Sequence, residues 1–248
     1  MKAMIFAAGL GTRLKPITDS MPKALVPVNG KTLLEVVIHK LILAGFDEII
    51  INVHHFPEQI IDFLTKKNNF DIRIEISDES DELLDTGGGL KKAAHFFDDG
   101  KPFLIHNVDI LSNIDLKKFY TQHLKDKKRL TSLVVSYRDT YRYLLFDDVM
   151  RLHGWVNIKT GNTKPVENLA VQSFQKYAYA GIQVVSPRIF ELMEQEPDQF
   201  PIMDFYLQHC QQEEIMGYVP QNLRMLDVGK INTLKKISDY ISHDFSML

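Results

Sequence analysis

Short apolar runs alternate with amphipathic stretches through the first half of the chain. Residues 3–7 and 48–53 are apolar runs that predict strands. Between them, apolar side chains recur at helical spacing over residues 33–42, and Gly45 is a helix stop signal. The other elements predicted in this half are a helix opened by Pro57, a strand over residues 72–76, a helix led by residues 87–89 and a strand over residues 102–111. Repeated strand–helix units predict an α/β fold, with a mostly parallel sheet and helices on both faces.

The second half of the chain is less regular. Residues 143–166 alternate apolar pairs with turn signals, which predicts small β-hairpins over the edge of the sheet. The other elements predicted here are strands over residues 130–137, 177–185 and 225–228, and helices over residues 187–193, 202–211 and 231–241. No linker, low-complexity tract or internal repeat interrupts the pattern, so we expect one domain over residues 1–248.

Composition and charge exclude several classes of protein. The formal net charge of -3 and the absence of a long basic block argue against nucleic acid as the main partner. No run approaches the roughly 20 apolar residues that cross a bilayer, and the first apolar stretch is too short for a signal sequence. A single cysteine, Cys210, fits a reducing compartment, so we expect a cytoplasmic protein.

A glycine-rich loop follows the first predicted strand and carries two cations. Gly9 and Gly11 let the backbone N–H groups approach phosphate oxygens closely. Arg13 adds a planar fork of donors and Lys23 a compact, mobile charge. A dinucleotide-binding loop requires a third glycine where Leu14 stands and has no use for an arginine. The loop therefore indicates a triphosphate and not a nicotinamide cofactor.

Two aspartates remote from each other in sequence are candidate metal ligands. Asp109 ends the apolar run over residues 103–108, and open parallel sheets bind ligands at the carboxyl ends of their strands. Asp227 stands in the short predicted strand before Gly229. If the two meet, they supply the oxygen ligands that Mg²⁺ prefers. Taken alone, Asp109 is better explained as a turn or helix-cap aspartate, and the glycine-rich loop upstream reverses that preference in favour of a metal ligand.

A second glycine-rich turn runs over residues 85–90. Its three glycines could let a flat base lie against the backbone, with Thr86 at the edge of that base. A flexible strand–helix connection explains the same residues, and the sequence leaves both interpretations open. His54 and His55 are adjacent on a strand, so their side chains point to opposite faces and do not chelate one ion.

Together these segments resemble one known family. Residues 9–19 (GLGTRLKPITD) and 22–25 (PKAL) closely resemble the opening of the sugar-1-phosphate nucleotidylyltransferases. The resemblance continues through residues 84–90, 107–109, 179–182 and 227–229, so it covers nearly the whole chain. It is strongest to the short, single-domain members similar to N-acetylmuramate-1-phosphate uridylyltransferase.

The resemblance implies a Rossmann-like nucleotidyltransferase fold and Mg²⁺-dependent transfer of a nucleoside monophosphate to a sugar 1-phosphate. It implies that Arg13 and Lys23 are catalytic and that Asp109 and Asp227 bind the metal. The nucleotide-binding residues that it implies are Ala8, Gly9, Gly11, Thr12, Thr86, Gly87, Gly88 and Asn107. The sugar-binding residues that it implies are Tyr179, Gly181 and Lys164. The implied partners are small molecules, an NTP and a sugar 1-phosphate, with a homo-oligomer left open.

Some residues depart from the family pattern, and several functions stay open. Val108 stands where many relatives carry glycine, and residues 163–165 (TKP) only resemble the frequent Glu-Lys-Pro motif for the sugar phosphate. UTP is the expected donor. Guanylyl transfer to mannose- or heptose-1-phosphate and cytidylyl transfer to a phosphocholine-like acceptor are alternatives. A non-catalytic nucleotide-sugar-binding subunit is a further one, although such a protein would be expected to lose Lys23 or one of the aspartates.

Overall fold

The alternating pattern of the first half folds into strands and helices in the predicted order. A computed structural model describes residues 1–229 and 233–234. The helix predicted over residues 231–241 falls almost wholly outside this part of the chain. The strands are β1 (Lys2–Phe6), β2 (Pro27–Val28), β3 (Lys31–Thr32), β4 (Glu48–Val53), β5 (Arg73–Asp78), β6 (Phe103–Asn107), β7 (Ile110–Ser112), β8 (Arg129–Ser136), β9 (Arg142–Phe146), β10 (Leu152–Asn157), β11 (Thr163–Lys164), β12 (Gln175–Val185), β13 (Glu214–Tyr218) and β14 (Met225–Asp227). The helices are α1 (Leu33–Leu43), α2 (Pro57–Lys66), α3 (Asp85–Lys92), α4 (Leu116–His123), α5 (Ile189–Leu192) and α6 (Ile202–His209).

The central sheet is mixed, with a parallel core. β1 pairs in parallel with β4 and β6, and β4 pairs in parallel with β5. β12 runs antiparallel to β6, and the antiparallel strands β9, β10 and β11 extend from it at the edge of the sheet. β8 pairs with β12 and with β13. The α/β class, the parallel strands of the first half and the hairpins at the edge of the sheet are therefore confirmed.

Helices cover both faces of the sheet, because successive strand residues point to opposite sides. In β1, Ala3 and Ile5 join the apolar cluster that includes α1, α2 and α4, while Met4 joins the cluster with α3, α5 and α6. Local signals fix the ends of α1. The Thr32 side chain caps its start by accepting from the Glu35 N–H at 3.1 Å, and Gly45 follows it with a φ of 92°. No helix in the described ranges is long and apolar enough to cross a membrane.

The prediction of one strand over residues 102–111 was wrong at a place that matters for the site. The chain leaves β6 after Asn107 and re-enters extended structure as β7. β7 does not continue in the main sheet, because it pairs antiparallel with β14, with Ile110 opposite Asp227. The helix predicted over residues 187–193 is also shorter, since only α5 is helical there.

Candidate functional site

Two adjoining clefts lie at the carboxyl edge of the parallel strands. The inner cleft, of about 230 Å³, is lined by residues 6–9 and 107–109, Lys23, Asn52, Glu79, Leu83, Asp85 and Thr86. The middle cleft, of about 540 Å³, is lined by residues 138–142, Phe6, Arg13, Thr86, Asn107, Leu144, Trp155, Tyr179, Ile202, Met203 and Asp227. Phe6, Thr86 and Asn107 belong to both, so the two clefts form one continuous groove at the edge where parallel sheets bind ligands.

Lys23 and Asp109 form an ion pair inside the inner cleft. Lys23 Nζ donates to Asp109 Oδ2, and the two side chains are only 13% and 14% exposed. Lys23 lies in a short 3-10 turn after Pro22, whereas Asp109 lies in the break between β6 and β7. The structure thus brings together two residues that the sequence places 86 positions apart.

Asp227 lies next to Asp109 through backbone pairing. The Val228 N–H donates to the Asp109 carbonyl at 2.8 Å, directly after the pairing of Asp227 with Ile110. The Asp227 carboxylate accepts from the Gly229 N–H at 3.0 Å. The Arg13 guanidinium packs on the same turn, since a methyl group at Gly229 would lie 2.8 Å from Arg13 Nη2. The Lys23–Asp109 ion pair therefore lies in the inner cleft, and Arg13 and Asp227 line the adjoining middle cleft.

Arg138 is a third cation near Asp227, and no sequence pattern predicts it. Its Nη1 lies 3.8 Å from Asp227 Oδ2, and its Nη2 donates to the Tyr179 carbonyl at 3.2 Å. Tyr179 lines the middle cleft, and desolvation raises the pKa of its hydroxyl well above the ordinary value. A strand-end arginine after β8 was the available signal, but no spacing links residue 138 to residue 227.

Gly181 supports the site by allowing a close approach. Its φ is 74°, and a side chain there would lie 2.8 Å from Ile110 Cγ1 and 3.0 Å from Asn107 Nδ2. The register between β12 and β8 shifts at this point, between Tyr179 and Gln183. Gly181 therefore lets β12 pack against the break that carries Asp109, while Asn107 lines both clefts.

The glycine-rich loop contains residues with different environments. Ala8 and Gly9 line the inner cleft, and a methyl group at Gly9 would have no atom within 4 Å. Gly11 has a φ of 64°, and a side chain there would lie 2.8 Å from Thr18 Cγ2. Thr12 is exposed and lines neither cleft. Gly9 thus has the open space needed for a phosphate to approach, whereas Gly11 is required by the loop itself.

A buried polar network, which the sequence analysis missed, forms the wall of the inner cleft. The Ala7 N–H donates to Asn52 Oδ1 at 2.8 Å, and Asn52 Nδ2 donates to Glu79 Oε1 at 2.8 Å. Glu79 Oε2 accepts from the Leu84 N–H at 3.2 Å, and burial raises the pKa of the Glu79 carboxyl. A lone asparagine in the apolar run of β4 was the signal that could have found it.

The three consecutive glycines are the third to fifth residues of α3 and do not precede the helix. A methyl group at Gly87 would overlap the Phe200 ring, and one at Gly88 would overlap the Asp198 carbonyl. The Gly87 N–H donates to the Phe200 carbonyl at 2.8 Å, and Thr86 Oγ1 accepts from the Ile202 N–H at 2.9 Å. These glycines let α3 dock on the segment that enters α6. Thr86 lines both clefts, and neither Gly87 nor Gly88 lines either one.

Lys164 lies in a third cavity and not beside the two aspartates. This outer cleft, of about 430 Å³, is lined by Arg142, Trp155, Asn157, Lys164, Met203, Asp204 and Leu207. Lys164 Nζ forms an ion pair with Asp204 Oδ1 at 2.7 Å. Lys164 therefore contacts α6, whereas Arg13 and Arg138 are the arginines near Asp227.

The donor set of Asp109 and Asp227 fits a hard divalent cation. No group of three or more His, Cys, Asp or Glu side chains that could hold a metal occurs among residues 1–229 and 233–234. Asp109 and Asp227 alone would therefore leave most ligand positions to water and phosphate oxygens. Mg²⁺ is bound in this way, by one or two carboxylates with the phosphates of a substrate.

Comparison with known proteins gives a family. The model of the nucleotidyl transferase family matches residues 2–243. An N-acetylmuramate alpha-1-phosphate uridylyltransferase of Neisseria meningitidis is 43% identical over 115 residues, which cover 46% of this chain and 49% of the relative. A mannose-1-phosphate guanyltransferase of Hypocrea jecorina is 30% identical over 210 residues, which cover 82% of this chain and 56% of the relative. The chain spans about half the length of the curated relatives that it matches.

A solved structure shares the fold. HddC from Yersinia pseudotuberculosis, in complex with GMP-PN, superimposes with a TM-score of 0.75 at 23% identity. The superposition covers 97% of this chain and 99% of that chain. The similarity therefore extends over the sheet, its helices and the carboxyl edge that holds the clefts.

Proposed function

Because the chain belongs to the nucleotidyl transferase family, we propose that it is a Mg²⁺-dependent nucleotidylyltransferase. It joins an NTP and a sugar 1-phosphate to give a nucleotide sugar and pyrophosphate. The observation that supports this proposal is the backbone pairing that puts the Asp227 segment beside Asp109, whose carboxylate is paired with Lys23, with Arg13 packed on the turn after Asp227. Carboxylates for a metal and cations for phosphates at the end of a parallel sheet are the groups that phosphoryl-type transfer uses.

The chemistry follows from charge and needs no general base. A sugar phosphate has a second pKa of about 6, so at neutral pH it is mostly dianionic and already nucleophilic. The obstacle is repulsion between this dianion and the triphosphate. Lys23 and Arg13 would offset the repulsion and stabilise charge on the α-phosphate as pyrophosphate leaves in line. Mg²⁺, when bound by Asp109 and Asp227, supplies further neutralisation of the phosphate oxygens.

The two clefts divide the substrates between them. The inner cleft contains Ala8 and Gly9 of the glycine-rich loop, Lys23 and Thr86, so it takes the nucleoside triphosphate. The middle cleft contains Arg138 and Tyr179, so it takes the sugar 1-phosphate with its phosphate toward Asp227. Asn107 and Thr86 line both, at the place where the two substrates meet.

UTP is the donor we propose, since the uridylyltransferase relative is 43% identical in its matched region. GTP is the second candidate, because a mannose-1-phosphate guanyltransferase matches over most of this chain. Cytidylyl transfer to a phosphocholine-like acceptor is a further alternative. It would use the same residues for the nucleotide and different residues around the acceptor. Residence in the cytoplasm is part of the proposal, and the one cysteine, Cys210, is free and buried.

The test is a matrix of four nucleoside triphosphates against several sugar 1-phosphates and phosphocholine, read by pyrophosphate release with and without Mg²⁺. We expect turnover with a sugar 1-phosphate, the highest kcat/KM with UTP, and none without a divalent ion. Asp109→Ala should abolish turnover and Asp109→Asn should nearly do so, because each removes a charged ligand. Asp62→Asn, an exposed carboxylate on α2, is the matched control and should leave turnover unchanged.

Two results would contradict the proposal. Near-normal pyrophosphate release by Asp109→Ala would show that Asp109 is not a required metal ligand. Absence of pyrophosphate release from every NTP and acceptor pair, in protein that binds NTP, would favour the non-catalytic nucleotide-sugar-binding subunit.

A further inference from the structure

Two adjacent histidines, His54 and His55, follow β4 directly and line none of the three clefts. Both are half-buried, and each ring contacts a backbone carbonyl. His54 Nδ1 lies 2.6 Å from the Glu79 carbonyl oxygen, and His55 Nε2 lies 3.1 Å from the Thr18 carbonyl oxygen. Because a carbonyl oxygen only accepts, both ring nitrogens carry a hydrogen and donate. The two rings therefore hold two different segments of the chain.

The segment held by His55 packs on the glycine-rich loop. Thr18 Oγ1 donates to the Gly11 carbonyl at 2.9 Å, and Thr18 itself is buried. A methyl group at Gly11 would lie 2.8 Å from Thr18 Cγ2 and 3.2 Å from Lys23 Cβ, so these three residues pack closely together. A displaced Thr18 carbonyl would therefore shift the loop and the base of the Lys23 side chain.

The segment held by His54 forms another wall of the inner cleft. Glu79 lines this cleft, and its N–H donates to the Val53 carbonyl at 2.7 Å. The Glu79 carboxylate accepts from the N–H of Leu84, two residues before Thr86, which also lines the cleft. The hydrogen bond from His54 therefore fixes the main chain of Glu79 and, through it, the wall that contains Thr86.

The order of the strands explains why the two rings reach different segments. β4 lies between β1 and β5 in the sheet. The glycine-rich loop follows β1, whereas Glu79 follows β5. Residues directly after β4 are thus next to both segments, at the carboxyl edge where parallel sheets bind ligands.

We propose that His54 and His55 are positioning residues for the nucleotide, and that they set two walls of the inner cleft separately. His55 holds the loop that binds the triphosphate, and His54 holds the wall that contacts the base. The inference rests on the proposed function, in which the inner cleft takes the NTP. Neither ring lines this cleft, so each acts through the backbone carbonyl that accepts its hydrogen bond.

Amide side chains can replace one ring nitrogen at a time. The amide nitrogen of asparagine takes the place of Nδ1, and that of glutamine takes the place of Nε2. His55→Asn should therefore lose the bond that His55→Gln keeps, and His54→Gln should lose the bond that His54→Asn keeps. Equilibrium binding of UTP, inorganic triphosphate and uridine, with Mg²⁺ and without an acceptor, reports the two walls separately. GTP and guanosine replace UTP and uridine if the substrate matrix selects GTP.

Loss of the His55 bond should weaken the binding of phosphates. His55→Asn should raise Kd for UTP and for inorganic triphosphate about 3- to 10-fold, the range for one neutral hydrogen bond, and change Kd for uridine by less than about 2-fold. His55→Gln should change all three by less than about 2-fold. Gln59→Ala removes a second bond to the same segment, from Gln59 Nε2 to the Ser20 carbonyl at 3.0 Å, and should repeat the pattern of His55→Asn.

Loss of the His54 bond should weaken the binding of the base instead. His54→Gln should raise Kd for UTP and for uridine about 3- to 10-fold and change Kd for inorganic triphosphate by less than about 2-fold. His54→Asn should restore the wild-type values. His95→Asn replaces an exposed histidine after α3 that lines none of the three clefts, and as the matched control it should bind all three ligands like the wild type.

The outcomes distinguish this inference from the proposed function. Equal losses for inorganic triphosphate and uridine in His55→Asn or in His54→Gln would show a general loss of order, and the inference would be wrong. Unchanged binding of all three ligands in these two variants would also overturn it and leave the proposed function intact. A wild type that binds UTP without any affinity for uridine would overturn the assignment of His54. Failure of the wild type to bind every NTP would instead overturn the proposed function.

Discussion

Gly9→Ala tests whether the glycine-rich loop holds phosphate. Gly9 lines the inner cleft, and its φ is not in the left-handed region. A methyl group added to it would have no atom within 4 Å. The folded protein should therefore accept alanine without strain. Loss of backbone freedom in the unfolded chain should then stabilise the variant by about 0.4–1 kcal/mol, which is about 1–4 °C in Tm for a chain of this size.

The same methyl group occupies the space through which a phosphate would approach the loop. Losing one hydrogen bond to a charged group costs about 1.5–3 kcal/mol. We therefore expect kcat/KM for the NTP to fall by about 10- to 100-fold while Tm holds or rises. Initial rates of pyrophosphate release against NTP concentration, together with thermal unfolding of the same samples, measure both effects.

Gly88→Ala is the contrasting variant. Its methyl group would overlap the Asp198 carbonyl in the packing of α3 against the segment before α6. Overpacking of this kind costs about 1–3 kcal/mol, so this variant should lose stability together with activity. Unchanged kcat/KM for the NTP in Gly9→Ala would refute the reasoning, because phosphates would then not approach the loop at Gly9. A fall in Tm there would show that the loop is tightly packed.

Two further predictions concern charge. Lys23→Ala should lower kcat by about 10²–10³-fold, because it removes the cation next to Asp109. Single-turnover rates measure the loss, with Lys66→Ala, an exposed lysine of α2, as the control. A loss below about 5-fold would exclude a role of Lys23 in the chemical step. Burial lowers the pKa of His123 from 6.5 to about 4. Between these two pH values the unfolded chain binds more protons than the folded protein. The free energy of unfolding should therefore fall by up to about 3 kcal/mol as the pH drops from 6.5 to about 4. Denaturant unfolding at pH 7.5 and 5.0 should show a smaller fall in His123→Gln, which keeps polar contacts to Ser132 and Ser186 without the titration; an identical fall would exclude His123 as a source.

The fold was predictable because its signals are local. Apolar runs flanked by amphipathic stretches define parallel strands and covering helices, and Gly45 ends α1 as its position indicates. The break at Val108–Asp109 was not predictable, because the apolar run continues through it. What ends the strand is the pairing of β7 with β14, whose partner residues lie more than one hundred positions later.

The candidate site was predictable only where local patterns encode it. Chain order and the carboxyl-edge rule place Asp109 near the glycine-rich loop, and the structure has Lys23 in contact with it. Gly87 packs on Phe200 and Gly88 on Asp198, contacts that no local pattern encodes. Whether Gly87 and Gly88 also border a base stays a prediction. Arg138 and Glu79 enter the site through tertiary packing alone.

The antiparallel pairing of β7 with β14 determines when the candidate site is completed during synthesis of the chain. During synthesis the glycine-rich loop, Lys23 and Asp109 emerge early, and the strands that hold them can assemble as soon as β6 is made. Asp227 arrives more than one hundred residues afterwards. Under the proposed function, a nascent chain would present its glycine-rich loop before the proposed second metal ligand is synthesised, so nucleotide binding would precede turnover.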